Sequence, residues 1–122
     1  MAPAVLVIDD DPRSRGLLRN GLELEGIRVA EQEPCARPGA EALGPGYAVI
    51  LVDIVMPEKD GFEYLRQIRR LWPDQRVVLY SRGLSEYPHY AVKLGADAGI
   101  DIGQAAGLRH LLETARRLAT VP

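Results

Sequence analysis

The stretch Val5-Leu6-Val7-Ile8-Asp9-Asp10-Asp11-Pro12 runs four apolar residues straight into three carboxylates and a proline. An uninterrupted apolar run of this length reads as a strand buried on both faces, as in a parallel sheet. Asp11-Pro12 reads as the opening of a helix, with Asp11 as N-cap and Pro12 in the first turn. Leu17, Leu18 and Leu22, with Gly21 as a spacer, give that helix one inward face, and it is expected to end near Gly26. A strand, an acidic turn and a helix make the first half of a βα repeat.

The same grammar recurs along the chain. Ile27 to Ala30 is a weaker second strand, followed by a Pro- and Gly-rich segment, Glu33 to Gly46, with room for a short helix around Ala40 to Leu43. Val49 to Val52 is the third strand. A helix from Asp60 to Leu71 follows, with Phe62, Leu65, Ile68 and Leu71 at helical spacing, and Trp72-Pro73 stops it. Val77 to Tyr80 is the fourth strand. Pro88 suits the first turn of a helix running to Leu94, with Gly95 as its stop signal. Ala98 to Ile102 reads as a fifth strand, weakened by Gly99. Leu108, Leu111, Leu112, Ala115 and Leu118 line one face of a last helix. Five strands alternating with five helices predict an α/β fold, a doubly wound parallel sheet of flavodoxin-like (βα)5 type with strand order 2-1-3-4-5.

Composition sets the outer bounds. A chain of 122 residues is expected to form a single domain, residues 1–122. The formal charge of −2 gives no sign of direct nucleic-acid binding. Arg109, Arg116 and Arg117 read as a solvated helix face. The lone Cys35 excludes a disulfide framework and fits a reducing cytoplasm. The apolar opening, Ala2 to Ile8, is too short to span a membrane and has no basic leader, so no membrane association is expected.

The topology brings chemistry together. In such sheets, sites form at the carboxyl ends of the strands where the strand order reverses, here between strands one and three. Asp9 and Asp10 follow strand one and Asp53 follows strand three, so three carboxylates converge. Each close pair repels by roughly 4 kcal/mol at 4 Å with an effective dielectric of 20, so a cation or a proton must compensate. Oxygen donors with no cysteine or histidine beside them suit a hard dication, Mg²⁺ foremost. Mg²⁺ on carboxylates serves phosphate chemistry, and one acid could itself be the nucleophile, giving an aspartyl phosphate.

Val7-Ile8-Asp9-Asp10-Asp11-Pro12, then Asp53-Ile54-Val55-Met56-Pro57 with Asp60-Gly61, then Ser81 after the fourth strand, resemble the receiver domain of bacterial two-component response regulators. The likeness runs from the first strand to the last helix. It implies that Asp53 is the phosphoacceptor and that Asp10 binds Mg²⁺ directly, Asp9 through water and Val55 through its backbone carbonyl. It implies that Ser81 donates its hydroxyl to a phosphoryl oxygen and reports phosphorylation to the distant face. The implied partners are a histidine kinase or histidine phosphotransfer protein, and a downstream output protein or domain. The output would bind on the face made by the Pro88 helix, the fifth strand and the last helix. Receivers often pair through that face, which implies a homodimer.

Four positions depart from the family pattern. In Gly95-Ala96-Asp97-Ala98-Gly99-Ile100-Asp101-Ile102-Gly103-Gln104, the usual lysine falls on Ile102, the usual switch aromatic on Gly99 and the usual proline on Gly103. Isoleucine cannot pair with the phosphoacceptor or with a phosphoryl group. Tyr80, Tyr87 and Tyr90 read mainly as core or surface filling rather than as substitutes for the aromatic. Asp101 lies near the site, but strand alternation turns it away from the side of Ile102. The residue after Ser81 is usually small and here is Arg82, either a solvated side chain or a phosphate contact that replaces the lysine. His89 and His110 read as surface residues rather than phosphoryl relays.

Two signalling readings follow: a phosphorylatable receiver, and a degenerate receiver acting as a phosphorylation-independent interaction module. An aspartyl-nucleophile phosphatase is disfavoured. Such an enzyme wants a second acid two residues after the nucleophile, and Val55 stands there. The chain is therefore read as a phosphoacceptor domain rather than an enzyme.

Overall fold

A computed structural model describes residues 4–32, 46–57, 59–84 and 86–120. The expected short helix at Ala40 to Leu43, and Cys35, lie outside these residues. The elements run β1 (Ala4–Ile8), α1 (Pro12–Glu23), β2 (Arg28–Gln32), β3 (Tyr47–Asp53), α2 (Gly61–Leu71), β4 (Val77–Ser81), α3 (Glu86–Lys93), β5 (Ala98–Asp101) and α4 (Gly107–Thr120). The five strands form one sheet in the order β2-β1-β3-β4-β5, parallel throughout. The expected order therefore holds, and element ends differ from the expected ones by up to three residues, the largest at the end of α1.

Strand alternation divides the core into two layers. Leu6, Ile8, Ile50, Val52 and Leu79 face one side of the sheet, where Leu65 and Ile68 of α2 and Ala91 of α3 cover them. Val5, Val7, Leu51, Val78 and Tyr80 face the other, under Leu18 and Leu22 of α1 and Leu111 and Ala115 of α4. Burial on both faces explains why the strands read as continuous apolar runs.

Two expectations about helix faces need correcting. Leu17 is 54% exposed, because the inward stripe of α1 passes through Leu18 and Leu22. Leu71 is 42% exposed, while Tyr64 joins Leu65 and Ile68 in the buried face of α2. The Gly21 spacer does its expected work: a Cβ there would lie 2.8 Å from Leu112 of α4.

Gly99 is set by a closer approach. A Cβ on Gly99 would sit 1.9 Å from the Pro88 carbonyl oxygen, so the first turn of α3 rests directly on the β5 backbone. Pro88 is buried in that contact. The position where the family pattern places an aromatic is therefore filled by helix backbone. Gly99→Ala should lower the unfolding free energy by about 2–3 kcal/mol through overpacking. Gly16→Ala, which meets nothing within 4 Å inside α1, should raise it by about 0.5–1 kcal/mol. Urea denaturation of both variants checks the pair.

Candidate functional site

The sheet carries its carboxylates to one end. Parallel pairing of β1 with β3 puts Ile8 beside Val52, so Asp9, just after β1, and Asp53, the last residue of β3, share the crevice between them. Asp9, Asp10 and Asp53 each offer an oxygen, and these oxygens lie within 4.8 Å of one another. The surrounding crevice, about 230 Å³, is lined by these residues together with Asp11, Ser14, Val55, Tyr80, Arg82 and Ile102.

Local structure holds each acid differently. Asp11 caps α1, accepting the Arg13 N–H at 2.9 Å with Pro12 next in the chain. This turn delivers Asp9 inward, 2% exposed, while Asp10 stays exposed. Asp9 is fixed on several sides. One oxygen accepts the Asp11 N–H at 2.8 Å and the other accepts the Tyr80 hydroxyl at 2.7 Å. Its main-chain carbonyl accepts from the Arg15 guanidinium at 2.6 Å. Asp53 ends β3, and its carboxylate accepts the Val55 N–H at 3.3 Å.

The loop after Asp53 turns on Asp60-Gly61. Asp60 caps α2 by accepting the Glu63 N–H at 2.9 Å, and Gly61 donates its N–H to the Ile54 carbonyl at 2.9 Å. A Cβ on Gly61 would stand 2.7 Å from the Asp53 carbonyl oxygen. Glycine there lets α2 begin against the end of β3. Met56 is buried beneath the loop, and Val55 is left 55% exposed beside the crevice.

Crowding shows in the electrostatics. Burial first, and then the Asp9 carboxylate, push the Asp53 pKa up from 3.8 to about 7; Asp10 adds to the rise, while the Val55 N–H and Arg82 oppose it. Burial also raises Asp9, against the Asp11 N–H and the Tyr80 hydroxyl. Three close carboxylates with only oxygen donors fit a hard dication that keeps part of its water shell. Asp9, Asp10 and Asp53 are the residues that would hold it, with the exposed Val55 turn beside them.

The remaining expected residues fall in different places. Ser81 ends β4 and is 1% exposed, with its hydroxyl donated to the Gly83 carbonyl at 2.8 Å. It is not among the residues lining the crevice. Ile102 does line it, and donates its backbone N–H to the Ser81 carbonyl at 2.8 Å. Arg82 reaches over the crevice, where its guanidinium donates to Ser14 Oγ at 2.6 Å. Asp101 turns aside as alternation requires, accepting the N–H groups of Gly83 and Gly103 at 2.8 Å each. His89 and His110 are exposed.

Sequence reading missed Tyr80 and Arg15 as partners of the acidic site. Tyr80 had a usable signal: it pairs in register with Asp53 across β3 and β4. Its alternation partner Ser81 faces the other way. Arg15 had little signal, since a basic residue one turn into a helix is ordinarily solvated.

A five-stranded parallel sheet with an acidic trio at its switch point defines a class of small α/β domains built around a carboxylate-lined crevice. Within that class the chain belongs to the response regulator receiver domain family, whose sequence model matches residues 5–102. It is similar to the transcriptional regulatory protein ResD of Bacillus subtilis, 39% identical over 79 residues, covering 65% of this chain and 33% of that one. It also resembles the KDP operon transcriptional regulatory protein KdpE of Escherichia coli, 33% identical over 93 residues, covering 76% of this chain and 41% of that one. The chain thus spans well under half the length of these relatives. Among solved structures, the Francisella response regulator 1452 receiver domain superposes with a TM-score of 0.77 at 26% identity, covering 96% of each chain. Receiver domains are signalling modules that bind Mg²⁺ at an acidic pocket and work with histidine kinases and output domains. Among the described residues, no helix is long and apolar enough to cross a membrane.

The raised Asp53 pKa fixes a pH dependence. The folded state binds a proton that the unfolded state has released, so without metal stability falls as pH rises from about 4 towards about 7. Asp53→Asn should exceed the native protein in stability at pH 8 by at least ~1 kcal/mol, and the gap should close near pH 4. Urea denaturation in EDTA across this range tests it.

Proposed function

We infer that this domain accepts a phosphoryl group on Asp53 from a histidine kinase or histidine phosphotransfer protein, with Mg²⁺ bound at Asp9, Asp10, Asp53 and the Val55 carbonyl. The observation that carries this reading is the placement of Asp53: half-buried at a strand end, beside two further carboxylates, and open to a crevice large enough for a phosphoryl group.

The chemistry is one displacement. An Asp53 carboxylate oxygen attacks phosphorus, the P–N bond of the donor phosphohistidine breaks, and the imidazole leaves with the bonding pair. Mg²⁺, when bound, neutralises the phosphoryl oxygens and so lowers the repulsion between attacking anion and anionic donor. The protein must keep Asp53 ionised, aim it and hold the product. The Val55 N–H, bonded to Asp53, favours the ionised form.

Isoleucine at position 102 leaves a cationic role open, and Arg82 is the residue able to fill it. Its guanidinium already lies across the crevice, and its charge lowers the Asp53 pKa. Arginine presents paired N–H donors to a phosphoryl group and needs only to leave Ser14. For Ser81 the reading requires its hydroxyl to exchange the Gly83 carbonyl for a phosphoryl oxygen. The output face made by α3, β5 and α4 would receive a partner surface or a second copy; on α3, Val92 is 50% exposed, while Tyr90 packs edge-on to Phe62 of α2 with ring centroids 5.6 Å apart. The cytoplasm is the compartment in which such a partner system operates.

Acetyl phosphate with Mg²⁺ should add one phosphoryl mass, and Asp53→Asn should abolish it. Loss of a charge-assisted contact worth about 1.5–3 kcal/mol predicts that Arg82→Ala slows uptake roughly 10- to 100-fold. Ile102→Lys should speed uptake. Intact-protein mass spectrometry over time reads all three variants. No mass gain in the native protein while Mg²⁺ still binds would favour the phosphorylation-independent interaction module.

A further inference from the structure

Asp9 is unusual among the three acids because the protein uses both of its oxygens. Oδ1 accepts the Asp11 N–H at 2.8 Å and Oδ2 accepts the Tyr80 hydroxyl at 2.7 Å. Tyr80 cannot easily give way. Its ring is packed in the core with Val7, Leu51 and Ile100, and the side chain is 1% exposed. Moving Asp9 away would leave a buried hydroxyl without an acceptor, at the full desolvation cost of that group. Asp9 is therefore held in one orientation by the protein itself.

Building on the Mg²⁺ reading above, we propose that Tyr80 is a positioning residue that sets metal selectivity. By holding Oδ2, it prevents Asp9 from turning both oxygens onto one ion, and so favours Mg²⁺ over Ca²⁺. Mg²⁺ demands near-octahedral geometry, keeps several waters and is satisfied by single oxygens or by contact through water. Ca²⁺ takes six to eight oxygens and gains from carboxylates that chelate with both. A carboxylate pinned at each oxygen serves the first ion and frustrates the second. The restraint comes from an O–H group, so it narrows the choice of ion without adding positive charge to the site.

Calorimetric titration with MgCl₂ and with CaCl₂, at fixed pH and ionic strength, tests this on the native protein and on Tyr80→Phe. The native protein should bind Mg²⁺ roughly 10-fold or more tightly than Ca²⁺. In Tyr80→Phe the ratio should fall roughly 5-fold or more, mainly through tighter Ca²⁺ binding. A merely structural role would weaken both ions together and leave the ratio unchanged, and that result overturns the proposal while sparing the metal site. No heat with either ion in the native protein would overturn the Mg²⁺ reading and this role with it. A second measurement needs no variant. The Tyr80 hydroxyl proton should exchange slowly with solvent in proton NMR and remain so at saturating Mg²⁺. Its loss on adding Mg²⁺ would also refute the proposal.

Discussion

Negative charge forced together at low solvent access is the constraint around which this molecule is arranged. The sheet needs strands one and three side by side to bury their apolar faces, and the residues that follow them are acids. Folding therefore drives the carboxylates into proximity whether or not that is electrostatically favourable. Asp53 responds by holding its proton up to near-neutral pH. The Asp9 carboxylate accepts from the Asp11 N–H and from the Tyr80 hydroxyl of β4, while the Arg15 guanidinium of α1 holds its main-chain carbonyl. Fold stability and chemical readiness are thus opposed at one point, as is common where sites store function.

The donors that meet this charge differ from those of the family pattern. A lysine on β5 would bring a full positive charge into the crevice from the sheet itself. Here Ile102 stands just after β5, and positive charge comes instead from Arg82, just after β4. The Arg82 guanidinium is tied to Ser14 of α1. The tyrosine hydroxyl supplies direction without charge.

Much of this was legible in the residues. The doubly apolar runs gave the parallel sheet, and the position of Asp9, Asp10 and Asp53 just beyond their strands gave the crevice. Asp11 as a cap followed from Asp-Pro at a strand exit. Other features depended on rotation about a helix or on distant packing. The apolar spacing of α1 fits Leu17 as well as Leu18, and only the placement of α4 decides which is covered. Tyr80 looked like filling because sequence pattern records which face a side chain takes, not what its polar tip reaches. Gly99 read as a weak strand residue and a missing ring, since no local signal reveals a helix backbone lying across it.

The contact of Gly99 with Pro88 has a mechanical consequence. With main chain resting on main chain, no side chain lies between strand and helix whose repacking could let one slide past the other. The left-handed pair Gly83 and Leu84, with φ of 79° and 53°, leads away from the end of β4, while β5 stays paired with β4 in the sheet. With glycine at position 99, no ring is present there to turn between strand and helix.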